Sequence, residues 1–222
     1  MRKFQIASVI ASFFLAASPC AVHADPVSGK GTWESTLLPR DLDQNGQTDA
    51  FYDTVLHVTW LRTANLTGLG WTASKAWVDD LEFGGYTDWQ LPRGDACIGF
   101  NGATCTGSDL GHLWNISLGN KTSDYTNSHP TALTNTGNFI NLGSYAYWSG
   151  LEGSPDTSYA QSFQMRTGSQ VYVVKYSVNH FALAVRPGDV AAVPEPSTTL
   201  LALLGLGVFA NYRLFRGVKR TA

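Results

Sequence analysis

Hydrophobic positions recur at changing periods along this chain, and each change of period marks a new element. Leu56, Val58 and Trp60 alternate with His57 and Thr59 between Thr54 and Leu61, which predicts a half-buried strand with His57 at its rim. Ala73, Ala76, Trp77 and Leu81 then recur at helical spacing behind a capping Thr72, and Gly84-Gly85 ends the helix where a left-handed residue is wanted. Alternation returns from Tyr86 to Arg93, with Trp89 and Leu91 inward and Pro92 ending the pairing. Ser108, Asp109 and the Leu110, Leu113, Trp114 stripe predict a short second helix that leaves His112 off the apolar face.

Residues 115–141 lose all periodicity and are rich in Thr, Asn and Gly, so a long surface loop is expected there. From Tyr159 the pattern is strongly β. Phe163 and Met165, then Val171 and Val173, then Phe181, Leu183 and Val185 alternate with their neighbours, separated by turns at Thr167-Gly168-Ser169 and Ser177–Asn179. A three-stranded antiparallel meander burying one face on the helices is the simplest reading, and it accounts for the aromatic content without a cofactor.

Both ends of the chain read as targeting signals. Arg2 and Lys3, an apolar Ile6–Ala17 and a small-residue Val22-His23-Ala24 make residues 1–24 a signal peptide, so the mature chain begins near Asp25 and Cys20 is lost. At the other end Val193-Pro194-Glu195-Pro196-Ser197 precedes an apolar run and then Arg213, Arg216, Lys219 and Arg220, an order that places the basic end in the cytoplasm. Thr198–Ala210 spans only about 20 Å as a helix, against a hydrocarbon core of about 30 Å. The short transmembrane segment 198–212 therefore suits a transient hold on the inner membrane better than a permanent anchor.

Charge narrows the partners. The chain carries a formal charge of -2, but residues 25–192 hold nine Lys and Arg against sixteen Asp and Glu, so the exported part is acidic. It lacks the basic stripe that phosphate backbones require, and no nucleic acid is expected as a partner. Cys97 and Cys105 are the only cysteines left after maturation. In an oxidising compartment they form a disulfide most simply, worth roughly 2–3 kcal/mol; a metal site or a redox pair is the sharper alternative.

Asp41, Asp43, Asn45, Gly46 and Asp49 occupy positions 1, 3, 5, 6 and 9 of a calcium loop, but position 12 is Tyr52 instead of a bidentate acid. An Asp/Asn/Gly turn ahead of a strand uses the same residues, so turn and Ca2+ site both remain open. Gly68-Leu69-Gly70-Trp71-Thr72-Ala73 fits a dinucleotide fingerprint but lacks the βαβ units around it. No nucleophile elbow, zinc helix or phosphate loop is present, so no catalytic residue is assigned and a non-enzymatic protein is expected.

Two resemblances join these readings. The Pro194, Glu195, Pro196 motif with Arg213 and Arg216 resembles the PEP-CTERM sorting tail, over residues 190–222, which implies an exosortase-type processing enzyme as partner and a final place at the cell surface or outside the cell. Phe83 through Pro92, Asp109 through Trp114, Tyr147-Trp148-Ser149-Gly150 and Ala182 through Pro187 resemble the DUF1566 (Lcl C-terminal-like) domain over residues 53–189, behind a polar lead-in at 25–52. That resemblance implies an α+β, C-type-lectin-like fold with two short helices packed on twisted antiparallel sheets. By analogy its surfaces bind a glycan or exopolysaccharide, with Tyr145, Tyr147, Trp148 and His112 as binding candidates and Tyr125, His129 and Asn135 on the long loop. A small formylglycine-generating-enzyme-like oxidase using Cys97 and Cys105 is the alternative.

Overall fold

Strands follow helices in an order that splits the chain between two sheets. A single helical turn, α1 (Trp33–Thr36), leads into β1 (Leu37–Arg40), β2 (Ala50–Asp53), β3 (Val58–Leu61), helix α2 (Trp71–Asp79) and helix α3 (Asp109–His112). Then come β4 (Ala146–Glu152), β5 (Tyr159–Gln164), β6 (Ser169–Val174), β7 (His180–Phe181) and β8 (Val185–Pro187). One sheet has the order β1-β2-β3-β8 and the other β6-β5-β4-β7, with only β4 and β7 parallel. The computed structural model describes residues 25–99 and 105–190; the signal segment 1–24, the tail with Pro194, Glu195, Pro196, Arg213 and Arg216, and the segment 198–212 lie outside the described residues. Among the described residues no helix is long and apolar enough to cross a membrane.

The result is a mixed α+β fold with short helices, and it corrects several details of the pattern reading. The polar lead-in at 25–52 contains β1 and most of β2, which pair with each other, and β2 pairs in turn with β3. The meander stops after β6. The chain then crosses to the far side of β4 to form β7, and β8 joins the first sheet beside β3.

Alternation misled here because both faces of the sheets are covered. Phe51, Trp60, Tyr147, Phe163, Leu183 and Val185 pack into one core with Leu110, Leu113 and Trp114 of the α3 region. Their neighbours Ala50, Leu61, Trp148, Ala182 and Ala184 pack into a second core with Trp71 and Val78 of α2. The two helices thus cover opposite faces, and Ala182 and Ala184, expected outward, are buried against α2's side.

Helix α2 begins one residue before the expected Thr72 cap, with Gly70 as N-cap and no side-chain cap. Trp71, Ser74 and Val78 face inward and Ala73 and Ala76 outward, because the Trp71 indole donates to Ser149 O at 2.8 Å and fixes that face. Gly84 and Gly85 do take positive φ, 60° and 79°, but they form a two-residue hairpin turn between Phe83 and Tyr86 instead of a helix cap. Trp89 and Leu91 are buried as expected, although beyond the Phe83–Tyr86 hairpin the stretch to Arg93 makes a single bridge, from Gln90 to Val185. Ser108 caps α3 as expected, accepting from Gly111 N, and the helix continues as a wider turn over Leu113–Ser117.

The long segment 115–141 is only partly at the surface. Leu118, Asn120, Ala132, Leu133, Asn135, Thr136 and Phe139 are buried, and the polar ones supply the hydrogen bonds that irregular backbone lacks. Asn135 Oδ1 accepts from Val27 N and Gly137 N, while Nδ2 donates to Lys30 O and Leu118 O. Asn120 holds Thr134 N and Asn135 N on Oδ1 and donates to Asn135 O. An orphaned buried donor or acceptor costs about 1–3 kcal/mol, so these two amides are structural fasteners.

His180, on the edge strand β7, is buried, stacked on Trp148 with centroids 4.2 Å apart and bonded through Nδ1 to Ser177 Oγ at 3.1 Å. Burial pushes its pKa down to about 4. A histidine kept neutral in the fold contributes fully above its ordinary pKa of about 6.5, and that contribution drains away as pH falls from there towards 4. Between pH 7 and pH 4.5 the native protein should lose on the order of 2 kcal/mol more stability than His180→Phe, measured by urea unfolding; equal losses would show that His180 does not titrate between the two states.

Candidate functional site

The β1–β2 connection gathers the acidic loop. Asp41, Asp43 and Asp49 each place a carboxylate oxygen within 4.8 Å of the others. Gly46, at φ 85° with open space around its Cα, permits the reversal, and the loop's backbone N–H groups point inward. Asp41 accepts from Asn45 N and Gly46 N, Asp43 from Asn45 N and the Asn45 amide, Asn45 Oδ1 from Gln47 N, and Asp49 from Leu42 N. The carboxylates therefore build the turn and also stand close enough to chelate a hard cation.

Directly beside this loop runs an open groove of about 470 Å³ lined by Trp33, Glu34, Leu37, Pro39, Thr48, Phe51, Arg62 and Asn138. Loop and groove are mechanically joined, since Arg62 N donates to Asp49 O at 2.8 Å and Asp49 N to Arg40 O. Leu37 and Phe51 are buried on its floor and Trp33 is half-buried on its wall. Trp33 is held by Nε1 donating to Val27 O at 3.2 Å and lies against Gly137, where a Cβ would meet the ring at 3.6 Å. Arg62 donates from Nε to Asn138 O and from Nη1 to Thr48 O, both at 3.0 Å. The Glu34 carboxyl accepts from Ser28 Oγ and Gly29 N, and these bonds hold its pKa below the usual range.

The other candidates scatter. Tyr147 and Trp148 are fully buried, so neither offers a ring to an external ligand. Tyr147 Oη accepts from Gly143 N, and burial pushes its pKa up to about 12; the Trp148 indole donates to Leu69 O at 2.9 Å. Tyr145 is 48% exposed but lies on Phe181, with centroids 4.5 Å apart. His112 is half-buried on α3, its shielded Nε2 without a hydrogen-bond partner. On the long loop Tyr125 is exposed under the Arg166 guanidinium and His129 closes a turn with Thr126, whereas Asn135 is wholly enclosed. Trp33 and Arg62 had no signal of their own, since one stands in an aperiodic stretch and the other just past a strand end.

Cys97 and Cys105 form the expected disulfide, with Cα atoms 5.6 Å apart. The Gln170 amide donates to Asp95 and to Cys97 O, and the Gln161 amide donates to Asp95 O. Gly99 pairs in both directions with Gln170, which sews this loop to the edge of β6.

The outer segment decides the destination of all this. Residues 192–220 match the PEP-CTERM protein-sorting motif. The chain is an exported, exosortase-sorted protein that ends at the cell surface. A comparison with curated proteins gives no match.

Calcium at the Asp41, Asp43, Asp49 cluster should give heat in a millimolar calorimetric titration and raise the melting temperature. At ten times its dissociation constant the gain would be about 1.4 kcal/mol. Asp43→Ala should remove both effects, and an absence of heat with the intact protein would mean that the carboxylates serve only the turn.

Proposed function

We propose that the domain is a non-catalytic binding module that recognises extracellular polysaccharide at the cell surface through the groove between Trp33 and Arg62. The observation that carries the reading is the groove's make-up. A half-buried indole, a carboxylate, a guanidinium and backbone carbonyls share one open cleft, the mixture that sugar rings require, with apolar faces to stack and hydroxyls to hydrogen-bond. Export to the surface puts the cleft where polysaccharide is abundant. The acidic loop next to the cleft is the natural place for Ca2+ to stiffen it.

The formylglycine-generating-type oxidase needs reactive thiols, and Cys97 and Cys105 are joined to each other. The tail acts as a handle in this account: the segment 198–212 holds the chain briefly in the inner membrane until the exosortase-type enzyme processes it. Nucleic acid has no place in this scheme.

Two measurements test the proposal. In a pull-down on exopolysaccharide from the native host, Trp33→Ala should cut retention about tenfold or more, in line with about 1–2 kcal/mol for a lost aromatic platform; unchanged retention would remove the groove from the account. Mass spectrometry of surface-released protein from an exosortase-containing host should show a chain ending near Pro196. An intact Arg213–Arg220 end there would refute the processing step.

A further inference from the structure

The groove holds a cation that the rest of the domain does not neutralise. Of the other eight Lys and Arg in residues 25–192, Lys30, Arg40, Arg93, Lys175 and Arg186 each meet an Asp or Glu, whereas Lys75, Lys121 and Arg166, outside the groove, have no ion pair among the described residues. Arg62 is half-buried and has no carboxylate partner among the described residues, although residues 25–192 carry sixteen acids. The acid nearest along the backbone ladder is Asp49, and its carboxylate accepts from Leu42 N instead. Glu34 shares the groove, yet its two oxygens are held by Ser28 and Gly29.

Arg62 is also held in place before any ligand arrives. Its Nε and Nη1 donate to the Asn138 and Thr48 carbonyls, two acceptors on different segments, which fixes the plane of the guanidinium. Two of five N–H donors are thereby used, and three remain for a guest. A planar, fixed, unneutralised guanidinium suits a carboxylate, which it can grip with two parallel hydrogen bonds. The acidic domain around it repels anions at long range, so a carboxylate gains only where such a fork receives it.

We infer that the groove is selective for acidic saccharides, with the carboxylate of a uronate residue on Arg62 and its sugar ring against Trp33. Glu34, on the same groove, contributes a negative charge that disfavours a second carboxylate beside it. This inference rests on the polysaccharide-binding reading and narrows it to one class of sugar.

The test compares a uronate oligosaccharide with its methyl ester, which keeps the ring and hydroxyls but loses the charge. Titration calorimetry on the intact exported protein should show the acid form binding about tenfold or more tightly than the ester. Arg62→Gln should erase the preference for acid over ester, whatever it does to binding of the ester itself, and Arg62→Lys should restore part of that preference, because an ammonium keeps the charge without the fork. Equal affinity of the native protein for acid and ester would overturn the inference, and that comparison requires no variant to fold. If both forms bind equally and Trp33→Ala abolishes both, recognition of neutral sugar survives and acid selectivity fails. Binding of neither form would defeat the acidic-sugar inference, while the native exopolysaccharide pull-down would decide separately whether the broader reading stands.

Discussion

Residues His180 to Pro187 must satisfy several parts of the molecule at once, and the fold is arranged around that demand. Within this stretch β7 pairs with β4, Ala182 exchanges hydrogen bonds with Asn65, Ala184 O receives Leu61 N, Val185 exchanges with Gln90, and β8 pairs with β3. Irregular and extended backbone can be buried only if its polar groups are matched, and here two sheets and two loops share the matching. Side chains divide as well, with Leu183 and Val185 entering one core and Ala182 and Ala184 the other. Small alanines on α2's side leave room for Trp71, Trp89 and Trp148, while larger residues fill the side facing Trp114. At the end of the segment Arg186 clasps Asp88 with both Nε and Nη2 and lies over the Tyr86 ring, so the Gly84-Gly85 hairpin is tied to the same strand.

With the two cores closed, the amino-terminal stretch has somewhere to dock. Asn135, buried in the long loop, binds Val27 N and Lys30 O, and Lys30 reaches Asp124 of the same loop. Those bonds carry Trp33 to the loop that also supplies Gly137 and Asn138. The groove is therefore a by-product of packing with a definite geometry. One wall comes from the first helical turn, the floor from β1 and β2, and Arg62 is strung between the acidic loop and the long loop. Ligand binding there would draw together segments that the chain visits far apart, which is a reason to expect tight linkage between occupancy and the order of the amino-terminal stretch.

Legibility in the sequence followed the reach of each signal. Local chemistry was readable: Ser108 as cap, the Leu110, Leu113, Trp114 stripe, the turn at Gly168, the left-handed glycines and the pairing of Cys97 with Cys105. Tertiary choices were not. Alternation separates inside from outside only when one face meets water, and here Ala182 and Leu183 are both inside, so the pattern could not show that the last strand leaves the meander. The glycine pair carried its φ signs but not its role, since a hairpin and a helix end demand the same conformation. Analogy with the lectin-like resemblance points to Tyr147 and Trp148, which are core rings, and carries no sign of Trp33. The acidic loop was the exception among site residues, because its spacing brings Asp41, Asp43 and Asp49 together without help from the rest of the fold.

The claim at the centre of this account is that one groove, between Trp33 and Arg62, is the recognition surface of an exported, surface-sorted protein. Hydrogen exchange with and without host exopolysaccharide addresses it most directly. Slower exchange should be confined to α1, β1, the 48–51 stretch and the backbone around Asn138, with little change at the exposed Tyr176 and Val178 loop. Protection centred on Tyr176 and Val178, or on the Tyr145 surface, with none around Trp33, would contradict it.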